Sequence, residues 1–178
     1  MKKIAFYRWL LLCTLVVVTT GCAGYRFGNR TLYPPHIRTV YVPTCESSSF
    51  RPFLGERLTE AIVKEVEQKT PYKVVSTPEE ADSILTCRIV DEGKRVVAEN
   101  YYDDPRQVQY WFNVQVNWID RQQQQICPGG AVSIPRESVD LLETSNMAAE
   151  VGQSGATAQQ DAINKIATRV VTMMEAPW

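Results

Sequence analysis

The run Gln107-Val108-Gln109-Tyr110-Trp111-Phe112-Asn113-Val114-Gln115-Val116-Asn117-Trp118 alternates apolar and mostly amide side chains without a break. A strand repeats every two residues, so Val108, Tyr110, Phe112, Val114, Val116 and Trp118 share one face, and Gln109, Trp111, Asn113, Gln115 and Asn117 share the other. One face is therefore buried and one is wet, neutral and rich in amides. That is the signature of an antiparallel sheet covered on a single side.

Upstream, Asp103-Asp104-Pro105 breaks the chain. Residues 83–90 carry Ile84, Leu85, Cys87, Ile89 and Val90 and read as a strand. Asp91-Glu92-Gly93-Lys94 reads as a turn, and residues 94–101 as a strand returning antiparallel to the first. Downstream, Gln122 to Gln125 reads as a hairpin tip or short loop, and Ile126 with Cys127 opens a return strand that Pro128-Gly129-Gly130 interrupts. A last strand fragment is expected around residues 139–142, then a flexible Gly/Ser/Ala-rich linker to Ser154.

Two helices flank this run of strands. Leu54, Leu58, Ala61, Ile62 and Val66 recur at helical spacing after Pro52, which suits a first helical turn, and Glu60 and Lys64 form an i,i+4 pair on the opposite side. Near the C-terminus Gln159, Ile163, Ile166, Ala167, Val170 and Met174 share a face, with Asp161 placed near the start, where the helix dipole favours an anion. Residues 37–44 form a first strand, with Val40 and Val42 on one face, and 72–76 a short one. The order predicts an α+β two-layer sandwich, two helices packed on one face of a mostly antiparallel sheet of about four strands.

The N-terminus reads differently. Lys2, Lys3 and Arg8 precede an apolar run from Trp9 to Val18, too short to span a bilayer, which marks a secretory signal peptide. In Val18-Thr19-Thr20-Gly21-Cys22 small residues lead into a cysteine, as in the bacterial lipobox, although Thr19 stands where leucine is usual. Cys22 is then the lipidation site and the first residue of the mature protein, with an ordinary secreted protein or an uncleaved anchor as alternatives. Acyl chains add about 0.8 kcal/mol per buried methylene, enough for permanent membrane attachment when several are present. Ala23, where an aspartate would resemble an inner-membrane retention signal, points to the outer membrane. The expected organisation is a signal peptide (1–21), a lipidated N-terminus and extended leader (22–35) and one periplasmic domain (36–178).

Composition narrows the chemistry. Nineteen Lys and Arg stand against 20 Asp and Glu, and three of the basic residues lie in the signal, so the body is mildly acidic and is not built to coat nucleic acid. Cys45, Cys87 and Cys127 show no CxxC spacing and His36 is the one histidine, which argues against a metal site. A disulfide between one pair would leave an odd thiol; buried free cysteines are the expectation. No nucleophile motif accompanies His36, Asp103-Asp104 before a proline reads as a turn, and Gly129-Gly130 lacks the lysine of a phosphate loop. The expectation is no enzyme, no cofactor and no catalytic residue.

The words Cys22-Ala-Gly-Tyr-Arg-Phe-Gly28, Ile37-Arg-Thr-Val-Tyr-Val42, Leu54-Gly-Glu-Arg-Leu-Thr-Glu-Ala61 and Glu80-Ala-Asp-Ser-Ile-Leu85, with an amphipathic helix ending near Trp178, resemble the LptE family of lipopolysaccharide-assembly lipoproteins. Residues 103–105, 122–125 and 131–154 depart from any pattern of that family. The resemblance implies a lipid-anchored domain facing the periplasm. It would plug an outer-membrane β-barrel translocon and assist lipopolysaccharide insertion at the cell surface. The alternative is an envelope lipoprotein that scaffolds a secretion pore or activates a cell-wall enzyme, which assembly into a ring would favour.

Under the first reading Trp111 is the candidate partner-binding anchor on the wet face, against the plain alternative of a solvated sheet surface. Lys94, Arg95 and Arg121 are candidates for lipopolysaccharide phosphates, on the assumption that two hairpin tips lie at one end of the sheet. The plain alternative for them is a solvated turn.

Overall fold

The computed structural model describes residues 32–121, 126, 138–148, 150 and 152–175. The signal segment, Cys22, Gln122 to Gln125, Cys127, Pro128-Gly129-Gly130 and Trp178 lie outside them.

The described chain forms β1 (Thr39–Tyr41), β2 (Glu46–Ser47), α1 (Leu54–Lys69), β3 (Lys73–Val75), a 3-10 turn (Pro78–Glu80), β4 (Ser83–Glu99), β5 (Pro105–Asp120), β6 (Val139–Ala148) and α2 (Gly155–Met173). The sheet order is β3-β1-β4-β5-β6, with β2 beside β4 on the same edge as β1. β4, β5 and β6 are antiparallel; β1 is parallel to both β3 and β4. A parallel pair needs a crossover, and α1 supplies the one between β1 and β3. The fold is the expected α+β architecture with six strands rather than four; β1 and β3 lie within the strands expected at 37–44 and 72–76, while the two-residue β2 is too short to show a period.

Helix α1 buries Leu54, Leu58, Ile62 and Val66, while α2 buries Ala158, Ala162, Ile163, Ile166, Ala167, Val170 and Val171. Both stripes rest on Val40, Leu85, Cys87, Ile89, Phe112, Val114, Val116 and Trp118, which form one core with them. The helices run parallel: Arg57 donates to Gln160 at 2.7 Å and Thr168 to Glu65 at 2.6 Å. Pro52 lies outside the first helical turn, because Phe53 takes a left-handed φ of 60° and the helix begins after it. Asp161 is not at the start of α2 either; Ser154 caps that end by accepting from the Thr157 N–H. Asp161 instead accepts from Ser145 of β6 at 2.7 Å and pairs with Lys165 at 2.8 Å.

Three expectations are corrected. No turn occurs at residues 91–94: β4 runs on to Glu99, and the reversal lies at 100–104, where Asn100 Oδ1 accepts from the N–H groups of Tyr102 and Asp104. The segment after Leu142 is not a linker, since β6 continues to Ala148 in register with β5. Cys45 and Cys87 are joined in a disulfide, 42 residues apart, rather than standing as free thiols. The cause is register: Glu46 of β2 pairs with Arg88 of β4, which sets the preceding residues side by side.

Closing a loop of that length restricts the unfolded chain by about 4 kcal/mol in the chain-entropy account. Replacing Cys45 and Cys87 with Ser, or unfolding under reducing conditions, should lower stability by about 2–4 kcal/mol in denaturant titrations. The substituted protein should no longer respond to reductant.

Candidate interaction surface: the sheet's open face and its arm

The side of the sheet away from the helices carries Gln109, Trp111, Asn113, Gln115 and Asn117 of β5, opposite Asn146, Thr144, Leu142 and Asp140 of β6. These side chains form a polar lattice. Arg95 donates to Gln109 at 2.8 Å, Gln109 to Asn146 at 3.0 Å, and Gln115 to Asp140 at 3.3 Å. Leu142 stands exposed among them.

Past the pair of Lys94 with Tyr110, whose ring is buried against Gly155 at the start of α2, the β4–β5 hairpin outruns the helices as an arm, and every residue from Lys94 to Glu99 is exposed. At Val90 a bulge shifts the pairing by one residue, so Asp91, Gly93 and Arg95 face the open side while Glu92, Lys94 and Val96 face the helix side. Gly93 lies directly opposite Trp111, whose indole covers it: a Cβ on Gly93 would come within 2.6 Å of the ring. Trp111 is therefore half-buried against the backbone of its neighbour strand. At the tip Tyr101 and Tyr102 are 94% and 80% exposed, their rings edge to face at 5.4 Å. Asp103, with φ of 63°, completes that turn.

On the helix side Glu92 organises the segment between β2 and α1. It accepts from the Ser49 hydroxyl and pairs with Arg51 at 3.0 Å, while Ser49 Oγ also accepts from the Arg51 N–H. The segment presents Phe50 and Phe53 to solvent. Sequence reading missed these phenylalanines and the tyrosine pair; the available signal was aromatic residues beside Pro52 and Pro105, positions with no apolar period to bury them.

The three cations do not form one site. Lys94 and Arg95 are mid-strand on opposite faces of the arm. Arg121 follows the other end of β5, where Ser83 pairs with Asp120, roughly 35 Å from Lys94 at the rise of a strand. The assumption that placed them together fails because the turn at 91–94 does not exist. Arg121 instead donates to the carbonyls of Ala81 and Glu79 at 3.2 and 3.0 Å.

Arg121 belongs to a knot at the root of the sheet. Asp82 accepts from the N–H groups of Arg38 and Thr39 at 2.9 and 3.1 Å, and its own N–H donates to Thr39. Those backbone bonds, foremost the one from Arg38, hold its carboxyl below the ordinary aspartate range, and Arg121 adds to the effect. Among the described residues no cluster of His, Cys, Asp and Glu has metal-holding geometry.

The model of the LptE lipopolysaccharide-assembly family matches residues 37–174. No curated protein sequence matches the chain. Among solved structures, the hypothetical protein CT253 of Chlamydia trachomatis is similar with a TM-score of 0.52 at 10% identity, over 78% of this chain and 98% of that one. The PelC dodecamer of Paraburkholderia phytofirmans gives 0.51 at 13% identity, over 86% and 96%. Protein XCC0632 of Xanthomonas campestris gives 0.50 at 11%, over 81% and 91%. At such identities the likeness is one of fold.

Two outcomes are expected. Gly93→Ala should cost about 1–3 kcal/mol by pushing on the Trp111 ring, and in a Trp111→Ala background that cost should vanish, as read from denaturant unfolding of the four proteins. The lowered value of Asp82 makes the folded state favour its carboxylate. That contribution is present above the unfolded value of about 3.9 and is lost as pH falls through the folded one. Asp82→Asn should therefore cost about 1 kcal/mol at neutral pH, a figure already reduced for its exposure, and flatten the decline of Tm below pH 4.

Proposed function

The chain belongs to the LptE lipopolysaccharide-assembly family, and we propose that it is an outer-membrane lipoprotein, anchored through Cys22 and facing the periplasm. In this reading it binds a β-barrel translocon and assists lipopolysaccharide insertion by contact rather than catalysis. The observation that carries the reading is the two-sided sheet. One face holds the core; the other is an amide-rich lattice, with Arg95 and Asp140 hydrogen-bonded into it, that continues into an exposed aromatic arm. Such a surface suits the polar, water-filled interior of a barrel, where hydrogen-bonding groups and a few aromatic anchors supply the contacts.

Trp111 is the proposed anchor on that face, with its indole held in place by Gly93. Lys94 and Arg95 are the proposed contacts to lipopolysaccharide phosphates, one on each side of the arm, since charge-assisted bonds to phosphate are the strong ones. Arg121 would serve only a second, separate contact.

The test is a mild-detergent pull-down of the C-terminally tagged chain from outer membranes. One large β-barrel protein in near-equal amount is expected. Recovery of a cell-wall synthase, or of the chain's own copies without a barrel, would overturn the reading. Charge reversal at Lys94 and Arg95 should weaken binding of purified lipopolysaccharide about tenfold, and unchanged binding would remove them as contacts.

A further inference from the structure

We propose that the outer edge of β4 from Val90 to Val96 pairs antiparallel with the same edge of a second copy of this chain, about a two-fold axis at Gly93. This goes beyond the reading above and does not depend on it.

β1 and β2 cover the outer edge of β4 in succession, and the cover ends where the Ser48 N–H donates to the Ile89 carbonyl at 3.2 Å. From Val90 onward, among the described residues, no strand lies on that edge, although β5 pairs with the inner one throughout. Side chains rather than a strand occupy it, the Glu92 N–H donating to Asp91 Oδ1 at 2.8 Å and the Glu92 carboxylate holding Ser49 and Arg51, and an extended strand without a partner strand on one edge is a template for another.

The segment is Val90-Asp91-Glu92-Gly93-Lys94-Arg95-Val96, with acids on one side of a glycine and bases on the other. Laid antiparallel against itself about Gly93, it sets Asp91 opposite Arg95, Glu92 opposite Lys94 and Val90 opposite Val96. The faces agree as well. Asp91 and Arg95 both lie on the open side, and Glu92 and Lys94 both on the helix side. An axis at Asp91, Glu92, Lys94 or Arg95 would place that residue against its own like charge. Only the Gly93 axis gives every charge an opposite partner, and cross-strand pairs of this kind select register.

Two further features fit the same occupant. A cleft of about 320 Å³ beside Val90 is lined by Ser48, Ser49, Phe50, Arg51, Asp91 and Glu92, with the Phe50 ring unpacked, and Val96 of the second copy would arrive there. Bulges at Val90 and Val97 bracket the segment. Bulges bend the strand that carries them, which would lead the second copy's tip away from β2. Seven residues a side bury far less than a standard interface, so the dimer should be weak and reversible.

The test uses the full chain in mild detergent, in a Cys127→Ser background that alone gives no cross-linked band. Differently tagged Val90→Cys and Val96→Cys proteins are mixed and mildly oxidised. The expected product is the mixed Val90–Val96 cross-link, in clear excess over either symmetric one. Asp91→Arg or Arg95→Asp alone should lower its yield about tenfold, and the two together should restore it. Equal yields of all three cross-links, no cross-link, insensitivity to the single reversals, or capture of a different polypeptide in place of a second copy would each overturn the proposal.

Discussion

The pairing of β4 with β5 is the constraint on which the rest of the molecule depends. Their 17 and 16 residues extend about 55 Å at the rise of a strand, whereas the 16-residue α1 and 19-residue α2 reach only about 24 and 29 Å. Helices of that length can cover only about half of the hairpin. The covered half supplies Leu85, Cys87, Ile89, Phe112, Val114, Val116 and Trp118 as the floor of the core. The uncovered half must project, and the arm with its exposed tyrosines follows from that mismatch.

The covered half was legible because its side chains keep one parity. Every residue assigned to either face of β5 lies where its alternation put it, and both helical stripes are buried as their spacing required except at Ala61 and Gln159, which are half-buried. Legibility failed at Val90. A one-residue bulge moves Glu92, Lys94 and Val96 to the helix side, so the alternation breaks in the sequence, and Asp91-Glu92-Gly93-Lys94 has the composition of a turn. Glu92 gives the physical reason why a polar run stays extended: it is held by Ser49 and Arg51, more than forty residues earlier in the chain. The disulfide was hidden in the same way, because nothing near Cys45 or Cys87 reveals that β2 lies in parallel register beside β4.

Two of the sequence words that carry the family resemblance are architectural. In Leu54 to Ala61, a Cβ on Gly55 would overlap the Cys45 carbonyl, Thr59 accepts from the Cys45 N–H at 2.8 Å, Leu58 is core and Arg57 reaches Gln160. In Glu80 to Leu85, Asp82 ties β1 to the start of β4, and Ser83 accepts from the Trp118 indole at 3.0 Å. Both words tie a short strand, or the residue before it, to the rest of the domain through side-chain bonds. The arm from Val90 to Gln107 contains none of these words, although the match to the family model, over residues 37–174, runs through it.

This division gives the molecule a direction. Tyr33 donates to the Lys69 carbonyl at the C-terminal end of α1 and packs against Tyr72, which in turn lies against Trp118 near the end of β5. The chain therefore enters the domain at the root, beside the Asp82 knot, while Tyr101 and Tyr102 stand at the opposite end of β4. With α1 and α2 parallel, both helix N-termini face the arm and both C-termini face the root. A tether attached before Tyr33 would hold the end of the sheet that the Asp82 bonds tie together. The open strand edge, centred on Gly93, would be carried roughly 33 Å away and the aromatic tip roughly 55 Å, toward the end with the fewest constraints from the core.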